Sequence, residues 1–72
     1  MENESVGAVL LELRRRKGAT QFDVSMATGI MPTVISAYER GTRVPRLGKL
    51  AALADYYGVS LDALAGREPA DK

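Results

Sequence analysis

The sequence predicts an all-α domain of five short helices, and three observations carry that prediction. Glycine recurs as Gly18, Gly29, Gly41, Gly58 and Gly66, each behind an apolar-periodic segment, and glycine most readily takes the left-handed turn that closes a helix. Apolar residues recur at helical spacing, with Val6, Val9, Leu10 and Leu13 as the first instance. No stretch alternates for long, and alanine and leucine lead over the aromatic and β-branched residues that strands favour.

The first helix is expected from about Ser5 to Lys17. Its last turn holds Arg14, Arg15, Arg16 and Lys17; cations there offset the helix macrodipole, but a run of this length exceeds that need. The second helix opens at Thr20, whose hydroxyl suits a free amide, with Asp23 completing a variant of the capping box, and it ends at Thr28 before Gly29. The third starts near Pro32, a residue favoured in the first turn because its missing N–H has no partner there anyway, and stops before Gly41. Only Gly29, Ile30 and Met31 separate these two, so they must meet at a sharp angle as a helix-turn-helix formed by helices 2 and 3. Pro45 marks the approach to the fourth helix, where Leu47, Leu50, Leu53, Ala54 and Tyr57 form an inward stripe up to Gly58. Ser60 caps a short fifth helix carrying Leu61 and Leu64. Residues 1–66 read as one domain, and 67–72 as a short tail expected to fray.

A chain of 72 residues has room for one core, so one unit must carry fold and function together. Cysteine and histidine are absent, which excludes disulfides, thiolate or imidazole metal sites and any nucleophile with a histidine base. Dispersed carboxylates and the lack of a glycine-rich phosphate loop argue against an enzyme, and no cofactor or metal is expected. No apolar run approaches the roughly 20 residues of a membrane span, and the acidic start is unlike a signal peptide, so a cytoplasmic, nucleoid-associated location is expected. Net charge is only +1, but Arg14 to Lys17 form one basic cluster and Arg40, Arg43, Arg46 and Lys49 a second. That placement is the footprint of a polyanionic partner.

A helical wheel places Met31, Val34, Ile35 and Tyr38 of the third helix on one arc facing the core, and Pro32, Thr33, Ser36, Ala37 and Arg40 on the opposite arc. The second arc is small, lightly polar and basic at its end, which suits close approach to base edges. In a major groove about 12 Å wide, the hydroxyls of Thr33 and Ser36 would bond base donors or acceptors, while Pro32, Ala37 and the threonine methyl would touch thymine methyls.

Thr20-Gln21, Gly29-Ile30 and the run Ile35-Ser36-Ala37-Tyr38-Glu39-Arg40-Gly41, continued through Pro45, Leu50 and Val59-Ser60-Leu61-Asp62, resemble the Cro/Xre family of bacterial and phage helix-turn-helix regulators. The likeness spans roughly residues 6 to 66 and implies a phage-repressor-like DNA-binding domain that regulates transcription, with helix 3 (about 32–40) in the major groove. It further implies that Gln21 touches a phosphate or supports a base contact, in keeping with the free amides of a helix N-terminus. It also implies an ion pair between Arg14 and Glu39, which makes Arg14 structural and leaves Arg43 and Arg46 to neutralise phosphates from the following loop. The sequence departs from the family pattern at Met31, Pro32 and Ala37, where polar residues are usual, which argues against strong direct base readout there.

The expected partner is double-stranded DNA carrying a palindromic operator, bound by a homodimer whose recognition helices enter successive major grooves about 34 Å apart. With few residues beyond the fifth helix, dimerisation is expected from the domain itself, around Leu61, or on DNA only. Phe22, Met26 and Leu11 lie off the apolar stripes and are expected at the surface. A second reading therefore keeps the fold but uses Phe22, Met26 and the apolar start of helix 3 as a protein-protein adaptor surface.

Overall fold

In the computed structural model, which describes residues 5–64, three of the helices begin where a side chain supplies a missing hydrogen bond. The helices among the described residues are α1 (Val6–Lys17), α2 (Gln21–Thr28), α3 (Pro32–Arg40), α4 (Leu47–Tyr57) and α5 (Leu61–Leu64), without a strand. Ser5 Oγ accepts from the Ala8 amide at 3.1 Å ahead of α1. Thr20 and Asp23 cap α2 reciprocally, each side chain accepting from the other's amide at 3.0 and 2.9 Å. Ser60 Oγ accepts from the Ala63 amide at 3.1 Å in α5. Helices α1 to α4 each run into a glycine with φ between 70° and 82°. Gly66 and the tail 67–72 lie outside the described residues.

All five helices contribute to one core: Leu10 from α1, Val24 from α2, Ile35 and Tyr38 from α3, Leu53 and Ala54 from α4 and Leu64 from α5, with Ile30 added from the turn. Leu53, Leu64 and Val24 are the most enclosed, each contributing about 1.5–3 kcal/mol through burial of its apolar surface. Val6, Val9, Leu13, Leu50 and Tyr57 pack partly buried around this centre, so the stripes of α1 and α4 point inward. Leu47 is the exception, being 69 % exposed, because the first turn of α4 projects past a core that this helix joins only from Leu50 onward. Leu11, expected at the surface, is half-buried.

At Gly7 the backbone of α1 lies close against that of α3. A Cβ built there would collide with the Tyr38 carbonyl oxygen and stand 2.9 Å from that of Glu39. Only glycine lets α1 sit against the last turn of α3, and this contact sets the depth of α3 in the fold. Among the described residues no helix is long and apolar enough to cross a membrane.

Candidate nucleic-acid interface

Thr28 at the end of α2 and Ile30 and Met31 in the turn to α3 have different tasks. Thr28 Oγ1 donates to the Val24 carbonyl at 2.7 Å and accepts from the Ile30 amide at 3.2 Å, tying the turn back onto α2. Ile30 is then driven into the core at 2 % exposure, and Met31, next in an extended backbone with ψ 144°, turns the opposite way. Its carbonyl receives the amides of Val34 and Ile35, each at 3.0 Å, and Pro32 opens the helix without an N–H to orphan.

Two residues placed on the wheel of α3 depart from it. Met31, expected in the core, is 65 % exposed, because it is the N-cap and its extended backbone leaves the helical period. Ala37, expected on the outer arc, is 8 % exposed. Its side chain falls within the edge of the core, and its carbonyl closes the helix end: the amides of Thr42 and Arg43 and the Thr42 hydroxyl all reach it, at 3.0, 3.3 and 3.3 Å. The outward face of α3 therefore consists of Pro32, Thr33 and Arg40, which are exposed, and Ser36, which is half-buried. Arg40 Nε donates to the Ser36 carbonyl at 3.3 Å, laying the guanidinium along that face.

Behind this face stands a cluster of polar side chains. Arg14 Nε and Nη2 donate to Glu39 Oε2 and Oε1 at 2.7 and 3.0 Å, a two-point pairing in which the side chains are 18 % and 5 % exposed. Gln21 Nε2 donates to the same Oε1 at 3.0 Å, and Arg14 Nη1 donates to the Ala19 carbonyl at 3.1 Å. One carboxylate thus joins the end of α1, the start of α2 and the end of α3. The hydrogen bond to Glu39 raises the Arg14 pKa, outweighing the opposing effect of burial, so Arg14 is charged at any working pH. Nearby Tyr57 is pushed up to about 12, first by burial and then by the Glu39 charge.

The chain leaves α3 through Gly41 at φ 82°, a conformation that lets the Gly41 amide reach the Tyr38 carbonyl at 3.1 Å while Thr42 reaches Ala37. Pro45 is buried and anchors the loop, whereas Arg43, Arg46 and Lys49 are exposed. Among the described residues no carboxylate pairs with these three or with Arg40. Phe22 and Met26, at 63 % and 70 % exposure, lie one turn apart on α2, away from buried Val24.

Sequence reasoning missed Gly7, the hold of Glu39 on Gln21 and the outward turn of Met31. Gly7 had a signal, since glycine inside a helical stripe costs about 1 kcal/mol relative to alanine and calls for a packing reason.

Comparison with known proteins follows the same outline. The family described as a helix-turn-helix domain matches residues 5–66. An uncharacterized HTH-type transcriptional regulator, YazB of Bacillus subtilis (strain 168), is 35 % identical over 68 residues, covering 94 % of this chain and 99 % of YazB. The HTH-type transcriptional regulator AnsR of the same organism is 39 % identical over 59 residues, covering 82 % of this chain but 51 % of AnsR, so the chain spans about half that relative. Among solved structures, the P22 c2 repressor in complex with a synthetic operator superimposes with a TM-score of 0.85 at 23 % identity, covering 90 % of this chain and 98 % of that one, a likeness of fold. The BldD DNA-binding domain of S. venezulae superimposes with a TM-score of 0.73 at 34 % identity, covering 83 % and 90 %.

Proposed function

The chain belongs to the helix-turn-helix domain family, and from that premise we propose that it is a sequence-specific DNA-binding regulator of transcription that lays α3 in the major groove. The observation that carries this reading is the outward face of α3, with exposed Thr33 and Arg40 and half-buried Ser36, followed in the chain by exposed Arg43 and Arg46, which no carboxylate pairs among the described residues. Thr33 and Ser36 address base edges, Arg40 reaches bases or backbone, and Arg43 and Arg46 neutralise phosphates. Gln21, held by Glu39, keeps a carbonyl oxygen and a second N–H for the DNA at the start of α2. Arg14 and Glu39 serve the frame rather than the contact.

On this reading the protein is a binding protein and not an enzyme, and it works in the cytoplasm on the nucleoid as a homodimer on a palindrome. Support comes from relatives named as transcriptional regulators and from the repressor fold seen on an operator. A purely adaptor role through Phe22 and Met26 is less favoured, since scattered exposed hydrophobes are ordinary on small domains. The pair remains available to a protein partner of the DNA-bound regulator.

Selection of duplexes from a random pool at low ionic strength, followed by salt titration of the enriched sequences, tests the reading. Expected are an enriched palindrome and an affinity falling steeply with salt, as release of phosphate counterions requires. Absence of any enriched duplex would overturn it, and a salt-insensitive protein complex in its place would favour the adaptor.

A further inference from the structure

Resting on the DNA-binding reading, we infer that Met31, together with Pro32 and the Thr33 methyl, reads the C5-methyl group of a pyrimidine, so that the operator carries thymine where α3 enters the groove. The N-cap of α3 makes no side-chain hydrogen bond, and its side chain is a thioether 65 % open to solvent. Pro32 beside it is exposed and has no N–H, and the Thr33 hydroxyl is the only side-chain hydrogen-bonding group in this stretch. An edge so poor in donors and acceptors cannot make the two-point hydrogen bonds that identify guanine or adenine. Thymine alone of the four bases shows an apolar group in the major groove, and a flexible, polarisable methionine is suited to cover it.

Burial of Ala37 adds to this. The other apolar residue assigned to the reading face is taken up by the core, so contact with base methyls falls to the start of the helix. The choice of DNA over an apolar protein follows from charge. The far end of the same helix and the loop after it carry Arg40, Arg43 and Arg46 without carboxylate partners among the described residues, a setting complementary to a polyanion.

The test uses the tightest duplex enriched from a random pool. Each thymidine is replaced in turn by deoxyuridine, which removes one methyl and keeps the base pair, and each cytidine by its 5-methyl form. Wild type and Met31→Ala are compared by equilibrium binding, with thermal unfolding as a check that this exposed substitution leaves the fold intact. Expected is a loss of about three- to tenfold for wild type at one or two deoxyuridine positions, shrinking to about twofold or less in Met31→Ala. A 5-methylcytidine placed at such a position is expected to recover part of the affinity in wild type alone. Equal losses in both proteins, or no response to deoxyuridine anywhere, would overturn the inference while leaving DNA binding in place. A pool without any enriched duplex would overturn the proposed function and this inference with it.

Discussion

Gly7 and Gly48 are both helical glycines, yet the same substitution at the two is expected to act with opposite sign. At Gly7 the added methyl meets backbone carbonyls of α3, which cannot swing aside as a side chain would. Gly7→Ala is therefore expected to destabilise the fold by about 1–3 kcal/mol in spite of alanine's better helix propensity. At Gly48 nothing lies within 4 Å of the point a methyl would occupy, so Gly48→Ala is expected to stabilise by about 0.5–1 kcal/mol. Urea titration of the two variants beside wild type decides the matter, and a stabilised Gly7→Ala would mean that α1 and α3 part without cost. At this scale legibility was uneven. Thr20, Asp23, Ser60 and the closing glycines act locally, through hydrogen bonds to residues a few positions away, and were readable. Met31 was misplaced because a helical wheel assumes helix where the backbone is still extended, and Ala37 because a wheel does not say how far round the helix the core reaches.

Single elements hold their places through contacts that cross the sequence. The α2-turn-α3 unit was legible because its spacing leaves only Gly29 to Met31 for the bend. Its bracing was not, for nothing in local pattern says that Gln21 shares a carboxylate with Arg14. Arg14→Ala would leave Glu39, whose side chain is 5 % exposed, without its counter-charge and with only the Gln21 hydrogen bond, and is expected to cost about 3 kcal/mol, with Tm and urea midpoints both falling. The loop after α3 has a different proposed role. Arg43→Ala is expected to weaken binding to all duplexes alike and to reduce the salt slope by about one, as a phosphate contact would. An unaltered slope would remove Arg43 from the interface. Thr33→Ala is expected instead to change the ranking among operator variants by about 1 kcal/mol or more, and a uniform loss across sequences would contradict base reading by Thr33.

At the scale of the whole molecule, one phenol is expected to contribute to the response of stability to alkaline pH. The folded-state pKa of Tyr57 is raised to about 12, while an unfolded tyrosine titrates near 10. Between those values the folded chain holds a proton that the unfolded chain has lost, so stability falls as pH rises. The Tyr57 contribution is complete below about pH 10 and is lost as pH climbs through about 12. Measured as Tm between those limits, the alkaline decline is expected to be shallower in Tyr57→Phe than in wild type; parallel declines would show that Tyr57 is not its source. The five-helix order was legible because each boundary is written locally, whereas the exposure of Leu47 depends on where the core ends.

The seat at Gly7 and the Glu39 cluster lie behind α3, and neither uses Pro32, Thr33 or Arg40. On the proposed function, mounting and reading head are thus separate parts, and the head is expected to be interchangeable. Rewriting those outer positions to match another regulator should retarget the protein to a new operator while its melting temperature stays put.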